Sequence, residues 1–238
     1  MKDLHCHICY GIDDGPKTLE ESIKMLEYMA KCGFTDVFAT PHYMEDSKYI
    51  ATNTQKNKIL KKLQEVIKDR NLNLNLYCGN EIYISNNILE MIKNKKIMTL
   101  NNSRYLLIEF SLFYKNPNIR SILYELLRNG YVPIIAHPER YVYLDKDFTL
   151  IKELKDLGCL FQGNYPSLFG KYGKTAKKNL TKMIKQGIIS FLGSDIHCIE
   201  ELYIEKLPKK LKRIVKSDDI VENLLYNNIN KVINNEEI

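Results

Sequence analysis

The sequence predicts an α/β fold made of repeated β–α units. Short, β-rich runs recur at 2–6, 35–40, 74–79, 105–110, 132–136, 159–163 and 189–193, and helical patterns separate them. The runs 105–110 and 132–136 are almost continuously apolar, which suits strands buried on both faces of a parallel sheet. Successive β–α–β units connect with right-handed crossovers. Seven such strands either close into a barrel or stay open as a doubly wound sheet, and the pattern alone allows both.

The elements follow in order. Strand 2–6 opens the chain. The first helix begins at Thr18, where Glu21 three residues on makes a capping box. Leu19, Ile23, Leu26 and Ala30 mark one face of it, and Gly33 is its stop. Strand 35–40 precedes a helix over 53–70, and strands 74–79 and 105–110 follow. Helices over 117–129, 147–157 and 173–186 then alternate with strands 132–136, 159–163 and 189–193. A last helical pattern covers 217–234. The Asn-rich stretches 71–75 and 227–235 read as turns and a fraying tail.

A chain of 238 residues with 45% hydrophobic composition can bury one sizeable core. One domain over 1–238 is expected, with a helical C-terminal extension from about 205. The net charge of +6 suits an anionic substrate and is too weak to argue for nucleic acid. Much of the excess lies at Lys206, Lys209, Lys210, Lys212, Arg213 and Lys216, which read as a solvated helix face or linker. The six cysteines are irregularly spaced, so a disulfide scaffold is not expected. No apolar run approaches the ~20 residues of a membrane helix, and no signal peptide opens the chain. A soluble protein of the reducing cytoplasm, without membrane insertion, is the expectation.

The ionisable residues collect at the C-terminal ends of the predicted strands. The first delivers His5 and His7, the second runs into His42, and the third into Glu81. The fourth carries Glu109, the fifth ends at His137 with Arg140 three residues on, and the seventh leads to Asp195 and His197. In α/β barrels this end of the sheet is where active sites are built. Side chains alternate along a strand, so His5 and His7 point the same way, as do Asp195 and His197. A lone histidine after a strand is more often a hydrogen-bonded structural residue, but this many donors on six strand ends predict a polynuclear metal site. Imidazole mixed with carboxylate suits Mn, Fe, Co or Zn better than a Ca or Mg cage. Arg140 is the natural phosphate clamp, and an ordinary salt bridge to Glu139 is the plainer alternative.

Cys6 and Cys9 form a C-x-x-C, but Cys6 points away from His5 and His7 and should pack in the core. No arginine has a cysteine six residues before it, which excludes the cysteine-dependent tyrosine phosphatases. Phosphate chemistry here must use metal-activated water. The chain has no P-loop and no Gly-rich dinucleotide fingerprint.

At these residues the sequence resembles the PHP (polymerase and histidinol phosphatase) metallo-phosphoesterases. Within them it is similar to the bacterial protein-tyrosine phosphatases of capsule and exopolysaccharide operons, the CpsB/YwqE type. The matching motifs are DLHCH (3–7), DDGPK (13–17), TPH (40–42), GNEIY (79–83), NSRYLLIEF (102–110), AHPERY (136–141) and GSDIH (193–197). The resemblance implies a single-domain, distorted (β/α)7 TIM-like barrel with two or three divalent transition-metal ions, Mn foremost. It implies one ion on His5, His7, Glu81 and Asp195, and a second on Glu81, Glu109 and His137. A third would take Asp14, chosen over Asp13, with His42 and His197. Arg140 would bind the substrate phosphate, and His42 or Asp14 would assist through a water. The implied partner is the phosphotyrosine-bearing tail of a bacterial tyrosine autokinase. The alternative is a small-molecule phosphoesterase, for example on histidinol phosphate. The stretch 163–167 and the loop from Tyr43 to about residue 52 would shape the pocket rim.

Overall fold

The computed structural model describes residues 1–199 and 204–238. Its strands are β1 (Lys2–Cys6), β2 (Asp36–Ala39), β3 (His42–Tyr43), β4 (Asn75–Cys78), β5 (Glu81–Tyr83), β6 (Tyr105–Glu109), β7 (Val132–Ala136), β8 (Leu160–Asn164) and β9 (Phe191–Gly193). Every pairing is parallel. β1, β2 and β4 form one sheet, and β3, β5, β6, β7, β8 and β9 form another in that order.

Two expected strands are present, and each runs on after a break into a second, short strand that was not expected. The run 35–40 continues through Thr40 and Pro41 into β3, and the run 74–79 continues through Gly79 and Asn80 into β5. Proline has no N–H for the ladder, so pairing stops at Pro41. Across the break, the Glu81 N–H donates to the Pro41 carbonyl at 3.2 Å. The circle closes between β9 and β1, where the Asp195 N–H donates to His5 O at 2.9 Å and the His7 N–H to Ile196 O at 3.0 Å. The result is a distorted parallel barrel, the closed alternative of the two that the pattern allowed.

The outer helices are α1 (Leu19–Lys31), α2 (Asn53–Asp69), α3 (Ile88–Lys93), α4 (Ile119–Arg128), α5 (Thr149–Leu157), α6 (Tyr165–Phe169) and α7 (Gly173–Lys185). The expected capping box of α1 is half formed. The Thr18 hydroxyl accepts from the Glu21 N–H, but the Glu21 carboxylate accepts from the Lys17 N–H instead of that of Thr18. Gly33 ends α1 with φ at +85°, a conformation that favours glycine.

Three more helices follow: α8 (Leu207–Val215), α9 (Asp218–Glu222) and α10 (Asn228–Asn234), with a π-helical turn over Asn223–Asn227 between the last two. In α8, Leu207 and Leu211 are buried while Lys209, Lys212 and Arg213 face solvent, so the basic run is a helix face. The Asn-rich C-terminal stretch does not fray. Ile229 and Val232 of α10 are fully buried against Leu4, Phe38, Leu107, Ile134 and Phe191, which fill the barrel interior. Asn228 Nδ2 donates to Ser190 O at 2.8 Å, and the Arg104 N–H donates to Asn235 Oδ1 at 2.8 Å. Asparagine is a poor helix former, and here tertiary burial overrides it. The helix plugs the amino end of the barrel.

Candidate metal centre

The carboxyl end is polar, and its inner donors are equally buried. His5, His7 and Glu81 are fully buried there. His5 Nδ1 is 2.9 Å from Gln162 Oε1, and His7 Nδ1 is 2.8 Å from Asp13 Oδ2. Both partners accept an Nδ1–H, so each ring turns its Nε2 lone pair inward, and the two Nε2 atoms lie 3.1 Å apart. Gly15 lets the Asp13 loop reach His7, because a Cβ there would meet His7 O at 2.7 Å.

The donors fall into clusters. His5 Nε2 and His7 Nε2 are each 3.2 Å from Glu81 Oε2, and 3.3 and 3.5 Å from Asp195 Oδ1. Glu81 also reaches His42 Nδ1 at 3.0 Å through Oε2 and His137 Nε2 at 3.0 Å through Oε1. Glu109 lies 3.6 Å from His137 Nε2 and 3.8 Å from His42 Nδ1. Asp14 Oδ1 is 3.3 Å from His197 Nε2 and 3.6 Å from His42 Nε2. Three groups bring their donor atoms within 4.8 Å of one another: His5, His7, Glu81 and Asp195; His42, Glu81 and Glu109; and His7, Asp14, His42 and His197. The first repeats the expected set. The second has His42 where His137 was expected, although His137 stays in contact with both carboxylates. The third adds His7. Asp13 orients His7 from behind, while Asp14 faces the cluster.

The electrostatics call for positive charge. Burial resists protonation of His5, yet Glu81 and Asp195 push it up to about 9. Burial would raise the Glu81 carboxyl, but His5 and His42 hold it well below the usual range. Glu109, partly buried and facing Glu81, is pushed up to about 8. Glu81 Oε2 has three imidazole nitrogens within 3.2 Å but accepts no hydrogen bond. A buried carboxylate oxygen ringed by unaligned nitrogens fits a shared cation better than a hydrogen-bond network. The donor set therefore fits divalent transition metals.

Two residues here hold left-handed backbone: His137 with φ at +31° and Asp195 with φ at +53°. Non-glycine residues adopt this at a cost, and such strain clusters at functional sites.

Arg140 sits on a 3-10 turn after β7. It does not pair with Glu139. Its Nη1 donates to Asp195 Oδ2 at 2.9 Å, and its guanidinium carbon lies 4.3 Å from the Tyr172 ring centroid. Glu139 turns inward, where Oε1 accepts from the Asn164 N–H at 3.0 Å and the Ser167 hydroxyl at 2.7 Å. Burial pushes its carboxyl up to about 7. Arg140, Tyr172 and Lys171 line the same pocket as Asp14, His42, Glu81, Glu109, His137, Asp195 and His197, with a volume of about 440 Å³.

Sequence reasoning missed the support behind the donors. Gln162 Nε2 donates to Asn164 Oδ1 at 2.9 Å, and Asn164 Nδ2 donates to Asp195 Oδ2 at 2.7 Å. Asn164 and Ser167 were expected at the pocket rim but are fully buried. The available signal was two amides at alternate positions of an otherwise apolar strand. A second brace comes from α2. Buried Lys56 donates to Asn80 Oδ1 at 2.6 Å, and Asn80 Nδ2 donates to Pro41 O at 2.9 Å. One amide thereby ties both strand breaks, immediately before Glu81 and His42. Cys6 packs in the core beside Met29, as alternation implied.

A parallel barrel with clustered imidazoles and carboxylates at its carboxyl edge defines a barrel protein with a candidate polynuclear metal centre. The family model described as "Capsular polysaccharide synthesis, CpsB/CapC" matches residues 1–234, and the chain belongs to that family. It is 41% identical to CapC of Staphylococcus aureus over 204 residues, 84% of this chain and 78% of that one. It is 34% identical to the tyrosine-protein phosphatase CpsB of Streptococcus pneumoniae over 208 residues, 84% of each. Among solved structures it is similar to one from a study of YwqE from Bacillus subtilis and CpsB from Streptococcus pneumoniae, described as metal-dependent tyrosine phosphatases. The TM-score is 0.89 at 25% identity, covering 100% of this chain and 96% of that one. Among the described residues, no helix is long and apolar enough to cross a membrane.

Proposed function

We propose that this chain is a metal-dependent protein-tyrosine phosphatase of capsular or exopolysaccharide synthesis. The observation that carries the reading is one pocket in which the donor clusters and Arg140 meet, in a chain of the CpsB/CapC family. One ion is assigned to His5, His7, Glu81 and Asp195, a second to Glu81, Glu109 and His137 with His42 beside them, and a third to Asp14, His42 and His197. Mn is the first choice, and Fe, Co and Zn suit the same donors. Bound there, such ions supply Lewis acidity, lowering the pKa of a water and neutralising phosphoryl oxygens.

The chain's own residues supply the rest. Arg140 is held through Nη1 by Asp195, and its other N–H groups, which donate to no described residue, would bind equatorial phosphate oxygens. A phenolate leaving group has an ordinary pKa of about 10, so it needs less protonation than an alkoxide. His42 and Asp14 stand at the open edge of the cluster and are the groups placed to move a proton through water. The partner is the phosphotyrosine-bearing tail of a bacterial tyrosine autokinase, met in the cytoplasm. The six free thiols suit that reducing setting.

Purified protein should release phosphate from phosphotyrosine peptides, lose activity in chelator and regain it with Mn. Activity that survives both chelation and His137→Ala would sink the reading. Arg140→Ala should weaken turnover and leave metal content intact. A panel that includes histidinol phosphate separates this activity from a small-molecule phosphoesterase.

A further inference from the structure

A second cavity of about 900 Å³ opens from the catalytic pocket and shares Arg140 and Tyr172 with it. One wall is α7, which presents Lys174, Lys178 and Lys182 at every fourth position. The other is apolar, with Phe113 and Val142 each 65% exposed. The acidic groups along it already have partners within the fold. Asp145 accepts from the backbone N–H groups of Asp147 and Thr149, Asp147 lies 3.7 Å from Lys182, and Glu139 is turned inward. Lys182 is further occupied by the Lys146 carbonyl and lies 5.0 Å from the Phe148 ring centroid. Lys174 and Lys178 are exposed and make no ion pair among the described residues.

We propose that this groove binds the peptide segment next to the phosphotyrosine and selects acidic residues in it. The inference rests on the phosphatase reading above and names the substrate sequence that the site prefers. Groove continuity and lysine spacing support this. The groove continues from the phosphate clamp, so a tyrosine seated at Arg140 directs its own flanking chain into it. The spacing also matches. Residues four apart on a helix rise about 6 Å, and alternate residues of an extended chain are about 6.6 Å apart. An extended peptide with acidic side chains at alternate positions therefore places one carboxylate against Lys174 and the next against Lys178. Its opposite side chains face Phe113 and Val142, which favours apolar or aromatic residues there.

The test compares kcat/KM of the Mn-loaded enzyme on four substrates. Three are phosphotyrosine peptides with alternate flanking positions acidic, neutral or basic, and the fourth is p-nitrophenyl phosphate. The acidic peptide should exceed the neutral one by about tenfold at low salt, mostly through KM, and fall towards it as salt rises. The double variant K174E/K178E, on an exposed helix face, should reverse the order of the acidic and basic peptides and leave p-nitrophenyl phosphate unchanged. Fluorescence anisotropy with the same peptides as non-hydrolysable phosphonates should give the same order. Equal efficiency on all three peptides overturns the inference while the phosphatase reading stands, and so does an equal loss by the variant on p-nitrophenyl phosphate. No turnover of any substrate overturns the phosphatase reading and the inference with it.

Discussion

The two ends of the barrel both rest on buried side chains and are opposite in chemistry. At the amino end Leu4, Phe38, Leu107, Ile134 and Phe191 pack against Ile229 and Val232 of the C-terminal helix. At the carboxyl end His5, His7, Glu81 and His137 occupy the same kind of buried volume. Apolar side chains at the first end gain from leaving water. Carboxylates and imidazoles at the second lose hydration, and only a counter-charge offsets that loss. The amino half therefore holds the fold, and the carboxyl half is completed by what it binds.

Metal removal separates the ends most strongly. Chelation should abolish phosphatase activity, and Mn at about 100 times its dissociation constant should add about 2.7 kcal/mol of stability. A melting temperature that ignores Mn would contradict the contrast. The opposite end is probed by Ile229→Ala, which opens a cavity beneath Leu4 and Phe38. It should cost about 2–5 kcal/mol in denaturant unfolding and leave kcat per folded molecule unchanged at low temperature. A large fall in kcat with no loss of stability would show that the plug tunes the site.

The contrast was only half legible in the sequence. The donors could be read because strand alternation and strand-end position are local facts: His5 and His7 turn to the same cluster, and Asp195 follows the end of β9, although its left-handed backbone breaks the alternation there. The barrel's breaks could not, because pairing of β3 with β5 is long-range and only Pro41 hinted at it. The plug was hidden by its asparagines, whose weak helix propensity gives way to burial of Ile229 and Val232. Gln162 and Asn164 escaped notice because their partners, His5 on β1 and Asp195 just after β9, lie 157 and 31 residues away. The short helices α3 and α6, of 6 and 5 residues, carry too little periodicity to be found.

The support behind the donors sharpens the contrast at smaller amplitude. Asn164→Ala removes the donor to Asp195 Oδ2 and loosens the loop that carries it. Outer-shell partners of metal ligands typically contribute about 10–100-fold in affinity or activity. The variant should therefore need more Mn for half-maximal activity and return towards wild-type turnover when Mn is saturating. A loss that Mn does not relieve would place Asn164 in substrate binding instead.

The smallest effect concerns Lys56, a buried amine that braces the carboxyl edge. Burial pushes it down to about 7 from its usual 10.5. Between those values the folded protein binds fewer protons at this position than the unfolded chain, so the group's contribution to stability rises with pH across the window. Its destabilising effect is full below pH 7 and fades towards pH 10.5. Lys56→Met keeps much of the volume and removes the titration. Loss of the hydrogen bond to Asn80 Oδ1 is a nearly constant offset, because both ammonium and neutral amine donate it, and the Met98 N–H still donates to that oxygen at 2.9 Å. Thermal midpoints of wild type and variant, compared in chelator from pH 6 to 10, should therefore change relative to each other, with the wild type gaining as pH rises. Parallel curves would mean that the amine keeps its ordinary pKa, and that the polar character of the carboxyl edge does not extend outward to α2.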